Sequence, residues 1–167
     1  SSVGGKITIP TTSSYIEYCE DAWLLLRLHN INAAFAERET NSKYYFIDNG
    51  LLSLLLTDPT TTLLENIVAV SLFRKYGNSN DGERVFFYKQ NVEVDFYIPD
   101  DELAIQVSYS IEESDMTEKR EVEALKKLPK ALSCKRRLII TYDEEKTIED
   151  EYGVIEVIPC WKWLISR

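Results

Sequence analysis

Two adjacent stretches, Val92-Glu93-Val94-Asp95-Phe96-Tyr97-Ile98 and Leu103-Ala104-Ile105-Gln106-Val107-Ser108-Tyr109, alternate apolar and polar residues with period two. A strand sends successive side chains to opposite faces, so this pattern predicts two half-buried strands. Pro99-Asp100-Asp101-Glu102 between them is a polar connection of hairpin length. Pairing Ile98 with Leu103 sets Asp95 opposite Gln106 and Glu93 opposite Ser108. One face then becomes an apolar stripe of Val92, Val94, Phe96, Ile98, Leu103, Ile105, Val107 and Tyr109. The other carries a carboxylate beside a carboxamide.

The flanking sequence places this hairpin within a larger order. Residues 11–23 predict a helix, with Thr11, Thr12 or Ser13 available as caps and Tyr15, Ile16, Cys19, Ala22 and Trp23 on one face. Leu24 to Ile31 and Tyr44 to Ile47 read as strands around a polar connection, so helix plus ribbon predicts the latter part of a winged helix over residues 1–56. Asp48-Asn49-Gly50 marks a turn before a short helix from Leu51 to Leu56. From 57 to 167 the expected order is a helix from Leu63 to Tyr76 ending at Gly77, then strands 84–88, 93–98 and 103–109. A helix opened by Asp115 and Glu118 and stopped near Pro129 follows, then strands 138–142 and 154–158, and a last turn or helix from Pro159 to Leu164. Helix, three strands, helix and strand is the α-β-β-β-α-β order of a restriction-endonuclease-like core. The expected class is therefore α/β, a mixed sheet flanked by helices.

Composition limits the functions open to such a chain. Its 167 residues suffice for one domain, or one with a small appendage, and can bury a core. Hydrophobic residues at 44% and charged residues at 28% are ordinary for a globular domain. No apolar run is long enough to span a bilayer, and no signal peptide is visible, so a cytoplasmic location is expected. The opening Ser1-Ser2-Val3-Gly4-Gly5 lacks Met, so a fragment of a longer protein is expected. Cys19, Cys134 and Cys160 are too scattered for a zinc or disulfide framework and read as free thiols. The net charge of -9 opposes tight binding to a phosphate backbone. A local basic patch from Lys119, Arg120, Lys126, Lys127, Lys130, Lys135, Arg136 and Arg137 is compatible with it.

The acid–amide pair matches the layout of PD-(D/E)xK nucleases, which cleave a phosphodiester with Mg²⁺ or Mn²⁺. Such ions take oxygen ligands, often one or two carboxylates. Asp95 and Gln106 are the candidate ligands, joined by Glu65 from the preceding helix. Each has a plainer explanation: a solvated strand acid for Asp95, and a cross-strand polar partner for Gln106. For Glu65 it is a capping box with Thr62. The motif lysine falls at Ser108, which cannot be cationic and reads as a small polar surface residue. Lys119 and Arg120 could supply a cation, or simply form a solvated helix face. His29, the only histidine, reads as structural.

Five runs carry a resemblance: Lys43-Tyr44-Tyr45-Phe46-Ile47-Asp48-Asn49-Gly50-Leu51, Leu64-Glu65-Asn66, Glu93-Val94-Asp95-Phe96, Ile105-Gln106-Val107-Ser108-Tyr109-Ser110 and Thr117-Glu118-Lys119-Arg120-Glu121. They resemble the C-terminal nuclease-like domain, of unassigned function, of prokaryotic AAA-type P-loop ATPases. The resemblance implies a metal-site remnant at Glu65, Asp95 and Gln106 and an ATPase domain upstream. No GxxxxGK[ST] sequence is present, so no nucleotide site is expected here. Many relatives carry Glu-x-Lys where this chain has Gln106-Val107-Ser108. The expected function is thus a catalytically degenerate accessory or recognition module, with a weak or absent Mg²⁺ or Mn²⁺ site. The alternatives are an active metal-dependent nuclease acting on DNA, directly or through the full-length protein, and a protein-interaction domain.

Overall fold

The computed structural model describes residues 8–34, 37–38, 41–57, 60–77, 83–111 and 115–166, with the side chains of 9 and 115–119 outside that description. The expected Asp115–Glu118 capping box lies among the latter. Helix α1 (Ile9–Asp21) precedes strands β1 (Leu25–Asn30) and β2 (Ser42–Phe46), which pair antiparallel. Helix α1 ends two residues before Trp23, earlier than expected. Trp23 N donates to Glu20 O and Leu24 N to Cys19 O, which closes the helix with Trp23 in the left-handed region at φ 55. Helix α2 (Asn49–Ser53) starts at Asp48, whose side chain accepts from Gly50 N at 2.5 Å and Leu51 N at 3.3 Å. Helix α3 (Thr60–Tyr76) is followed by Gly77 at φ 65.

The remaining elements are β3 (Phe86–Lys89), β4 (Glu93–Ile98), β5 (Leu103–Val107), α4 (Asp115–Lys127), β6 (Arg136–Thr141), β7 (Lys146–Asp150), β8 (Gly153–Pro159) and α5 (Cys160–Ile165). One mixed sheet orders the eight strands β2-β1-β3-β4-β5-β6-β8-β7. The β1–β3, β5–β6 and β6–β8 pairs are parallel and the others antiparallel. Residues on both sides of the expected boundary at 56/57 share this sheet. Leu26, Leu28 and Tyr45 pack in one cluster with Val68, Phe96 and Ile105.

Helices α3 and α5 cover one face of the sheet and α4 the other, so β4 and β5 are buried on both sides. The alternating pattern had predicted an open polar face; Ala104 and Tyr97 instead pack under α4 with Val122 and Leu125. The hairpin register is as expected at Ile98–Leu103, and it continues to Phe96–Ile105. The single apolar stripe is not. Tyr88 pairs with Val94 but Phe86 pairs with Tyr97, so β4 holds one extra residue opposite Phe87. This bulge reverses the alternation. Val94 joins the α4 side, while Phe96 and Ile98 join the α3 side. Strand β7 was not among the expected strands. Ile148 packs inward, and Asp150 pairs with the buried Arg137.

Candidate functional site

The bulge in β4 and the end of the β4–β5 ladder coincide at Asp95. Asp95 N donates to Gln106 Oε1 at 3.2 Å, and Val107 N donates to Asp95 Oδ2 at 3.0 Å. Side chains therefore take over where strand-to-strand bonds stop, and Asp95 and Gln106 line one cavity of about 550 Å³. Glu65 faces it from α3. Its helix already begins at Thr60, so Thr62 is not its cap, and Glu65 Oε1 accepts from Tyr45 Oη at 2.7 Å. Asn66 holds α3 to β2: its Oδ1 accepts from Phe46 N and its Nδ2 donates to Phe46 O, both at 2.8 Å.

The cation of the site comes from an unexpected strand. Lys43 in β2 passes over the Phe87 ring and donates to Asp95 Oδ1 at 2.9 Å. The same ammonium lies 3.0 Å from Glu93 Oε1 and 3.6 Å from Glu65 Oε1. Glu93 also pairs with Lys89 at 2.7 Å, rather than with Ser108. On the α4 side Gln106 Nε2 donates to the buried Glu121 carboxylate, which Arg120 Nε also reaches at 2.9 Å.

The charges respond to these neighbours. Burial works against the Lys43 ammonium, yet the Asp95 and Glu65 carboxylates more than offset it and raise its pKa. Burial, then the nearby Asp95 charge, raises Glu65 against the opposing pull of Lys43. Glu93 loses by burial but is lowered overall, since Lys89 and Lys43 both donate to it. Burial and the Glu65 charge hold the Tyr45 phenol protonated.

Of the sequence candidates, Glu65, Asp95 and Gln106 come together as expected. Ser108 does not join them. It is buried rather than on the surface, its Oγ donates to Ser110 O at 2.9 Å, and its amide donates to Ile140 O at 3.0 Å. The Lys119 side chain lies outside the described residues. Lys43, Glu93 and Glu121 were missed as site members, although Lys43 opens a run already singled out. The expected basic patch is largely consumed by ion pairs: Arg120 with Glu121, Lys127 with Glu123, Lys130 with Glu151, Lys135 with Glu102 and Arg137 with Asp150. His29 stands against Glu83, in keeping with a structural role. Cys19, Cys134 and Cys160 are not disulfide-bonded, and of the three only Cys160 is buried.

A divalent ion does not fit the site as it stands. Asp95 Oδ1 is bonded to Lys43, Asp95 Oδ2 to the Val107 amide, and Gln106 Oε1 to the Asp95 amide. Among the described residues no three His, Cys, Asp or Glu side chains are grouped to hold a metal.

Fold and site together define a mixed α/β domain with a polar cluster buried where its central hairpin opens. The chain belongs to the family described as Domain of unknown function (DUF4143), which matches residues 60–163. It is also 34% identical over 170 residues to Uncharacterized protein MJ1544 of Methanocaldococcus jannaschii, a match covering 96% of this chain. The chain spans 37% of that relative's length. No solved structure matches it. Among the described residues no helix is long and apolar enough to cross a membrane.

Proposed function

We propose that this chain is a PD-(D/E)xK-type module whose nuclease chemistry has been lost, serving as an accessory or recognition unit of a larger AAA-type ATPase. The observation that carries the reading is the state of β5. Gln106 has both ends of its carboxamide engaged by Asp95 N and Glu121, while the Ser108 hydroxyl is turned to the Ser110 carbonyl. Strand β5 thus offers the cavity no free carboxylate and no ammonium, the two groups that position metal and nucleophile in such enzymes. Loss of the Mg²⁺ or Mn²⁺ site follows. The resemblance to ATPase C-terminal domains supports the partner. So does the relative, most of whose length lies outside the match.

Incubating the protein with plasmid, linear and single-stranded DNA in Mg²⁺ or Mn²⁺ tests the reading. No cleavage is expected. Turnover that disappears in Asp95→Ala overturns it. A second reading, an active metal-dependent nuclease, is favoured by one observation: Lys43 brings an ammonium within 2.9 Å of Asp95, as a motif lysine would. The same assay separates the two.

A further inference from the structure

We infer that Lys43 is a resident substitute for a divalent cation, its ammonium occupying the point on which Asp95, Glu93 and Glu65 converge. This rests on the degenerate-site reading and deepens it by naming what fills the cation position. The ammonium lies 2.9, 3.0 and 3.6 Å from the three carboxylates. It arrives on β2, three strands away from β4 in the sheet, with β1 and β3 between. Its side chain is 23% exposed, so it is a built part of the cluster rather than a wandering surface charge.

Sterics and charge explain why an ion and this ammonium exclude each other. Oxygen ligands hold Ca²⁺ at roughly 2.3–2.6 Å and Mg²⁺ closer still, inside the volume that an ammonium nitrogen fills. The ammonium holds Asp95 and Glu93 at hydrogen-bond distance, with Glu65 at 3.6 Å, around a shared centre. It also cancels much of the negative field that would draw an ion in. Removing it leaves carboxylates that repel one another around an empty centre. An all-oxygen set of this kind suits Mn²⁺. The occupant also ties the ribbon to α3 and β4, so the former chemical site becomes a latch.

The test uses the full chain as wild type, Lys43→Met, Lys43→Gln and the double variant K43M/D95N. Mn²⁺ binding is read from loss of the free-ion electron paramagnetic resonance signal, and stability from thermal melting in chelator and in Mn²⁺. Wild type is expected to leave Mn²⁺ free, whereas the two neutral variants bind it at least about tenfold more tightly and melt higher in its presence. The double variant is expected to lose that gain. If neither neutral variant folds in chelator, Mn²⁺ should restore the folded circular dichroism spectrum; failure to do so overturns the inference. So does a folded Lys43→Met that ignores Mn²⁺.

DNA cleavage is scored on the same samples. Wild type that binds Mn²⁺ without cleaving overturns the cation-substitute inference alone. Cleavage by Lys43→Met with wild type silent overturns the degenerate-site reading alone. Mn²⁺-dependent cleavage by wild type overturns both.

Discussion

The Asp95 amide donates to Gln106 Oε1 at 3.2 Å, so a side chain stands in for a strand carbonyl just past the last ladder pair, Phe96–Ile105. Through its other end Gln106 donates to Glu121, and the bond runs on from β4 through β5 to α4. A neutral amide is required for this role, because it must accept on one side and donate on the other.

Replacing Gln106 with Glu should therefore destabilise the fold. The new carboxylate would face the buried Glu121 without a proton to donate. We expect a loss of roughly 3 kcal/mol at pH 7 by urea denaturation. A proton shared by the pair lifts its pKa in the folded state, so the deficit should shrink as pH falls toward 5. A small loss that does not change with pH would show that the Gln106–Glu121 bond does not matter.

Arg137 is 1% exposed and grips Asp150 through two hydrogen bonds, at 2.5 and 2.7 Å. The pair spans β8 and links the β7 edge strand directly to β6, beside the backbone ladders that both make with β8. Arg137→Ala strands a buried carboxylate and should cost roughly 3–5 kcal/mol, measured by urea denaturation. A cost under about 1 kcal/mol would place the pair among inconsequential surface bridges.

The same pair sets an acid limit. The hydrogen bond from Arg137 holds the Asp150 carboxyl below its ordinary value of 3.8, against the effect of burial. A depressed folded pKa gives stability that is present above 3.8 and lost as pH falls through the folded value. Melting temperatures from about pH 5 to pH 2.5 should fall more steeply for wild type than for Asp150→Asn. Parallel curves would refute the assignment.

Asn66 is 2% exposed and satisfies both backbone groups of Phe46, with a further bond to Asn49 Oδ1 at 2.7 Å. Asn66→Ala leaves these groups of β2 and α2 without partners. A loss of about 2–3 kcal/mol is expected, together with faster amide exchange at Phe46. Unchanged exchange there would mean that water replaces the side chain at no cost.

Trp23 occupies the left-handed position that glycine favours at a helix end, with 73% of its surface exposed. Trp23→Gly removes backbone strain and little burial. It should stabilise by about 1 kcal/mol, raising Tm by roughly 2–4 °C. A lower Tm would show that the indole contributes packing worth more than the strain.

Periodicity along the chain was enough to find the hairpin, its Ile98–Leu103 register and the helices on either side, because side-chain alternation and helical spacing are local properties of neighbouring residues. That register also set Asp95 opposite Gln106, whereas Glu65 entered only through the nuclease pattern and the family resemblance. Periodicity failed at Val94, where one inserted residue turns a strand over, and at β7, which was not expected because its ladder with β8 and the Arg137–Asp150 pair are tertiary contacts.

Residue order by itself determined most of the strand and helix succession and set Gln106 and Ser108 on the segment that follows the Asp95 strand. Only the tertiary structure decided what stands beside Asp95. Lys43 lies 52 positions from Asp95, and no pattern over so long an interval records that both side chains meet at 2.9 Å. That meeting depends on how β2, β1, β3 and β4 assemble, and on the carboxylates needing a positive neighbour once they are taken from water.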